Sequence, residues 1–475
     1  MITVTLIAKP EVPPVVSARQ AAETCYQAVL PKPKPNDEAT AKFVRDKLFR
    51  VGHHTTLQHQ QFTFAIEGIA VGDVTLGLHL AHPFYDSDQR SGRFCSAMFD
   101  NPDPEPIRQY ISFFWPEITD QQLTMALNQV EQGLKLYRDN LEPATELAER
   151  FLRQERPHLK EEAIPFQAAK IAQEQLRMFI PVIFPTGLQY TVNLSALVAM
   201  WQSAFTPVLR YVTDEMRRQV LSLWPELDFM FDGQQRRKDD WYCDYDCVNG
   251  PPHVDPMLYW NTDTPNIKAV RVYFFESTRS PAPSLMHPLD LLHFTPEMMG
   301  NNTATIIERG VTMSLATMGQ DQRHRAIRRS EPHFTAKFYL PPLMSELVRT
   351  EKLELTAIRD LFRGWQEMYY YLPSNLKTLW MVLAPYGAVV EYDKVGSLNA
   401  IAHEQAKRLC WCAQEEIFHL GLRLRELAER MSPALLALLD PPCFKNGVCG
   451  EGTRYCGRDL RLRSRSEDFF CRRRV

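Results

Sequence analysis

The chain has 475 residues, 45% of them hydrophobic and 23% charged, with a formal net charge of -3. That balance is ordinary for a folded protein of two or three domains and gives its overall field no reason to attract nucleic acid. No apolar run reaches the roughly 18 residues of a membrane span, and the opening residues 1–14 form a short β-like run ended by prolines, unlike a cleavable signal. A cytoplasmic protein with no membrane or nucleic-acid partner is expected. Its ten cysteines are then thiols for metal, catalysis or burial rather than a disulfide framework.

In chain order, Gly52-His53-His54-Thr55-Thr56-Leu57-Gln58-His59 is a polar turn leading into residues 60–66, which alternate as a strand. Imidazole and hydroxyl groups there can donate to phosphate or to the polar edge of a flavin; a helix-capping turn is the plainer reading. A polar stretch at 84–98 carries Ser91-Gly92-Arg93, where glycine permits close backbone approach to an anion and the Arg fork supplies contacts. Leu123, Leu127, Val130, Leu134 and Leu136 then recur at helical spacing, and a long helix over 193–223 closes this half.

Residues 231–266 break every periodicity and are rich in charge, Gly, Pro and Asp, so they predict a linker between 1–230 and 267–435. The second half repeats the order of the first. Weaker strand signals at 305–308 and 311–316 precede a polar stretch at 320–334. Leu353, Ile358, Leu361 and Trp365 mark a helix, and a final helix spans 396–430 with Ile417, Leu420, Leu424 and Leu427 inward and Arg423, Arg425 and Glu429 wet. An internal duplication is expected, with two unrelated α+β domains as the alternative. Gln320-Asp321-Gln322-Arg323-His324-Arg325 concentrates cationic groups suited to a phosphate. Arg408, late on the last helix, has a surface pair with Glu404 as its plain reading.

Together GHHTTLQH, FTFAIEG, SGRF and Thr191-Val192-Asn193 in the first half, with Arg323-His324-Arg325, Arg408 and Gln414 in the second, resemble the flavin-dependent thymidylate synthase (ThyX) family. The resemblance implies an α+β fold of two fused copies, each a small antiparallel sheet packed with long helices. It also implies FAD, dUMP or a related pyrimidine nucleotide, methylenetetrahydrofolate and NADPH, and a homodimer forming a pseudo-tetramer. Neither half keeps a full motif set: the first has residues 79–82 where the Arg-His-Arg triplet belongs and Ala204 in place of the late arginine. In the second, residues 330–336 replace the Ser-Gly-Arg loop, and the polar turn is lost among 287–302.

The missing parts are complementary, so a composite site is expected. Its substrate-binding residues would be Ser91, Gly92, Arg93 and Gln320, with Arg323 and Arg408 catalytic. His53, Thr55, Asn193, His324 and Arg325 would hold FAD. No cysteine nucleophile is implied, and Cys95 is read as a packed residue beside the loop. A nucleotide-binding relative without turnover is the main alternative; an RNA-binding protein is disfavoured by the acidic balance.

The tail from 436 carries Cys443, Cys449 and Cys456 in a Pro/Gly-rich loop, a candidate zinc set completed by Cys410, Cys412 or Cys471, with buried thiols as the alternative. The basic residues 461–475 read as a mobile, solvated end.

Overall fold

The computed structural model describes residues 1–81, 85–93, 95, 99, 103–237, 257–260, 267–274, 304–431 and 433–475. Residues 287–302, Cys243 and Cys247 lie outside them.

The first half forms a four-stranded antiparallel sheet from β1 (Thr3–Ala8), β2 (Gln61–Ala70), β3 (Tyr85–Gln89) and β4 (Pro185–Asn193), in the order β1-β2-β4-β3. Alternation in β2 puts Phe62, Phe64 and Ile66 wholly inside. Each buried aromatic or aliphatic side chain of that size contributes roughly 1.5–3 kcal/mol. Helix α1 (Asp120–Glu155) starts at a capping box of Thr119 and Gln122 and buries Leu123, Val130 and Leu134, as their spacing predicts. Helix α2 (Ile164–Leu176) packs against it.

The expected helix over 193–223 is two: α3 (Leu194–Ser203) and α4 (Pro207–Leu223). Thr206 caps the second and Pro207 occupies its first turn, where a missing N–H costs nothing.

The second half orders its main strands β5-β9-β10-β7-β6. These are β5 (Met257–Trp260), β6 (Ile267–Phe274), β7 (Ala304–Ser314), the two-residue β8 (Arg328–Arg329) beside β10, β9 (His333–Leu340) and β10 (Ala388–Ser397). The segment read as a linker therefore contributes a strand: β5 runs parallel to β9, and Leu258 is buried. Helix α5 (Leu315–Asp321) follows β7, and α6 (Leu355–Tyr371) buries Ile358, Leu361 and Trp365. The last expected helix is again broken, into α7 (Leu398–Arg408) and α8 (Glu415–Met431).

The halves share one kind of strand-to-helix junction. Asn193, ending β4 opposite Gln61, caps α3; Ser397, ending β10 opposite Thr305, caps α7. They meet at a bridge between Pro181 and Pro385, with Val182 N–H donating to the Ala384 carbonyl (2.8 Å) and Tyr386 N–H to that of Ile180 (2.9 Å). One hydrophobic core spans both. Among the described residues no helix is long and apolar enough to cross a membrane.

Two expectations about the end of the chain are overturned. Arg425 is buried rather than wet: it pairs with Asp440 at 2.8 Å and lies 3.7 Å from the Phe470 ring. The basic tail is packed rather than mobile. Phe469, Arg473 and Val475 are buried, and Arg473 donates to the carbonyls of Trp411 and Ala413. Those carbonyls give the guanidinium the partners that make its burial tolerable.

Candidate active site

After β3 the chain stays on the sheet edge through Arg90, whose N–H donates to the Gly187 carbonyl (2.8 Å). It then turns at Ser91-Gly92-Arg93, where the Cys95 N–H reaches the Ser91 carbonyl and Gln173 of α2 binds that of Gly92, each at 3.0 Å. The loop faces the end of α5. That helix is held at its start by Glu416, whose carboxylate accepts from the Ser314 N–H (2.7 Å) and the Thr317 hydroxyl (2.6 Å). Gln320 closes the last turn of α5 and Arg323 follows it.

Between the two segments lies a cleft of about 130 Å³. Ser91, Gly92 and Arg93 line one side, and Gln320, Arg323 and Arg408 the other, with Arg90, Arg177 and Tyr386 among the rest. Thus six of the expected residues converge from opposite halves. Arg93 binds the Gln320 side chain (3.3 Å), the Cys412 carbonyl (3.1 Å) and the Glu174 carboxylate. Gln320 donates to Gln414, which also accepts from Arg177 at 3.0 Å. Arg408 donates to the Gln320 carbonyl.

The cleft is short of negative charge. Arg90 pairs with Glu67 and Arg93 with Glu174, but Arg177, Arg323 and Arg408 have no ion pair among the described residues. Burial lowers the pKa of Arg177 and of Arg408, and the nearby Arg93 adds to both effects. Arginine stays protonated nonetheless, so this is a standing cationic site. The plain reading of Arg408 fails: Glu404 is buried and bound to Lys394 at 2.8 Å, which is itself 2.9 Å from Asp321.

Gln89, Gly319 and Arg323 also line a second hollow, which shares His79, Tyr85, Gln322 and Arg325 with a third of about 230 Å³. There His79 stacks on Tyr85 (4.9 Å between centroids) and Tyr85 on Tyr190 (5.2 Å). Arg325 stands 5.3 Å over the Tyr85 ring and pairs with Asp86 at 3.0 Å. Burial, with Arg325 adding to it, pushes the His79 imidazole down to about 3, so it is neutral.

The remaining expected residues are elsewhere. His53 and Thr55 are exposed in the turn before β2 and do not line these hollows; neither does Asn193, whose side chain accepts from the Ala196 N–H and Ser195 hydroxyl, each 2.8 Å, as a helix cap. A strand running straight into a helix needs that cap. The His324 ring lies 5.6 Å from that of His403 on α7.

The zinc expectation is corrected: among the described residues no group of three or more His, Cys, Asp or Glu could hold a metal ion. Cys456 packs with Leu409, Trp411, Phe418 and Leu422, and burial raises its thiol and pushes that of Cys443 up to about 11. A thiol kept protonated is a poor ligand. Cys95 is half-buried beside the loop, as expected. The residues missed were Arg177, Glu174, Tyr386, His79 and Tyr85. Only Arg177, a lone charge in the apolar run 176–184, left a sequence signal.

Residues 7–226 match the family model of the thymidylate synthase complementing protein. That segment is just under half of the chain, and over it the chain is similar to this family. No curated protein matches it. Solved structures similar to it include thymidylate synthase X from Helicobacter pylori with FAD and dUMP, at 18% identity and TM-score 0.30, spanning 50% of this chain and 100% of that one. Another is the UMP/dUMP methylase PolB from Streptomyces cacaoi bound with 5-Br dUMP, at 17% identity and TM-score 0.33, spanning 49% and 94%. Ser-Gly-Arg lies within the matched segment, while Arg-His-Arg and the late-helix arginine lie beyond it.

Proposed function

We propose that the chain methylates dUMP or a closely related pyrimidine nucleotide in a flavin-dependent reaction, at a composite site between its two halves. The observation that carries this reading is the cleft in which Arg177, Arg323 and Arg408 meet without carboxylate partners, closed by Ser91-Gly92-Arg93. An anionic ligand supplies the missing charge, and hydrogen bonds to charged groups contribute about 1.5–3 kcal/mol each. Ser91, Gly92 and Gln320 orient the nucleotide. Arg323 and Arg408 polarise the pyrimidine and stabilise charge developing on it. Arg93, already committed to Glu174, Gln320 and the Cys412 carbonyl, braces the two sides.

FAD is assigned to the adjoining groove lined by His79 and Tyr85, where Arg325 and Arg328 can hold a pyrophosphate. His324, His53, Thr55 and Asn193 are assigned to it only by family resemblance. When bound, the flavin supplies the hydride chemistry, with methylenetetrahydrofolate as carbon donor and NADPH as reductant. The shared strand-to-helix junction and matching caps at Asn193 and Ser397 support a tandem duplication. Two paired chains would then resemble a four-subunit assembly.

The test is to purify the protein, record its visible spectrum after reconstitution with FAD, and titrate dUMP. A flavin band perturbed by dUMP at one nucleotide per chain supports the composite site, and a turnover assay then separates enzyme from binding protein. A chain that takes up neither FAD nor dUMP overturns the reading.

A further inference from the structure

The loop joining α7 to α8, residues 409–414, carries a thiol pair that the proposed reaction does not use. Cys412 is exposed and Cys410 half-buried. The Cys412 N–H points at the Cys410 sulfur at 3.5 Å. The same loop is wired to the cleft through its backbone: the Cys412 carbonyl accepts from Arg93 (3.1 Å), and that of Trp411 from Arg156 and Arg473 (each 3.0 Å). Gln414, at its end, takes Arg177.

We propose that Cys410 and Cys412 form a peroxide-reactive pair whose oxidation to a disulfide releases Arg93 from the loop and weakens the cleft. Two features make Cys410 the attacking sulfur. Contact with the Cys412 side chain and then with its N–H, at 3.5 Å, lowers the Cys410 pKa and raises that of Cys412, whose own thiol donates to the Arg454 carbonyl at 3.3 Å. A lowered pKa is what marks a reactive thiol among inert buried ones such as Cys456. In the first step the Cys410 thiolate attacks one peroxide oxygen and the O–O bond breaks. This leaves a sulfenic acid and a hydroxide, which becomes water by taking the Cys412 proton. The Cys412 sulfur then attacks Cys410, the S–S bond forms, the S–O bond breaks, and the departing hydroxide takes a solvent proton. Two thiols are oxidised and one peroxide is reduced to two waters.

A disulfide holds its two Cα atoms roughly 4.4–6.8 Å apart at a fixed dihedral. Closing one across a single residue sets the backbone at Trp411 and Cys412, and the Cys412 carbonyl leaves its alignment with Arg93. The thiol chemistry stands apart from the nucleotide assignment; only its effect on the cleft rests on the proposed function.

The full-length protein is treated with hydrogen peroxide, alkylated, digested and mapped by mass spectrometry, and dUMP affinity is measured before and after. The expected result is a Cys410–Cys412 disulfide, about tenfold weaker dUMP binding, and recovery with dithiothreitol. Cys410→Ser keeps the reduced-state affinity and loses the peroxide response. A disulfide mapped to Cys443, Cys449 or Cys456 overturns the proposal, as does retention of both free thiols or a native mass showing a metal on them. Absence of dUMP binding in the reduced protein counts against the proposed function alone, and thiol mapping then still decides the pair.

Discussion

Replacing Arg93 with Met separates its structural task from its part in binding. Its partner Glu174 is on α2, and the two side chains are 16% and 11% exposed, so solvent screens the pair weakly. Removing one member of a buried pair costs roughly 3–5 kcal/mol, because the other charge is left unpaired. Here the stranded carboxylate also faces Glu415, whose own carboxyl is pushed up to about 8 by burial and then by Glu174. An unfolding entropy of about 2.1 cal/mol/K per residue over 475 residues is roughly 1 kcal/mol/K, so Tm should fall by about 3–5 °C. Arg93→Met with Glu174→Leu removes both charges and should return Tm to within about 1 °C of the parent. Both variants should bind dUMP about 10–100-fold more weakly, since the brace to Gln320 and the loop is gone in each. Thermal melts and calorimetric titration of the two variants read this directly. If the second substitution leaves Tm low, or restores nucleotide affinity, the division of roles is wrong.

Arg323 has no ion pair among the described residues and is exposed, so Arg323→Met should leave Tm unchanged while weakening dUMP about 10–100-fold by titration. Gly133→Ala should destabilise the chain even though alanine favours helix by about 1 kcal/mol. Its Cβ would sit 2.4 Å from the Phe179 carbonyl oxygen, and moving that turn displaces Arg177, so Tm and nucleotide affinity should fall together. Glu415 keeps its proton in the folded state between its ordinary 4.5 and about 8. Its contribution is therefore full below 4.5 and is lost as pH rises through about 8. Glu415→Gln should consequently gain stability relative to the parent between pH 5 and pH 8 in melts; a constant difference across that range would refute the burial argument.

Much of the candidate cleft was legible because its signals are local. Ser91-Gly92-Arg93 and Arg323-His324-Arg325 each put charge and backbone freedom in a few consecutive residues, and the strand of Phe62, Phe64 and Ile66 shows in its alternation. Complementary loss between the halves even indicated which residues should meet. Breaks in the long helices were written in Thr206-Pro207, yet apolar periodicity on either side masked them. Other features depended on what packs from afar. Asn193 belongs to a motif, but the strand-to-helix junction takes its side chain as a cap. Arg177 and Gln414 stand 237 positions apart, and their hydrogen bond exists only because the halves join at Pro181 and Pro385. The cysteines and arginines of the tail looked like ligands and a solvated end. Whether a thiol meets a metal or an apolar wall, and whether an arginine meets water or a ring of carbonyls, depends on distant chain. Sequence by itself determined the chemistry carried by each short segment; only the tertiary structure decided which segments share a cleft and which charges lose their water, because desolvation and hydrogen bonding act through space rather than along the chain.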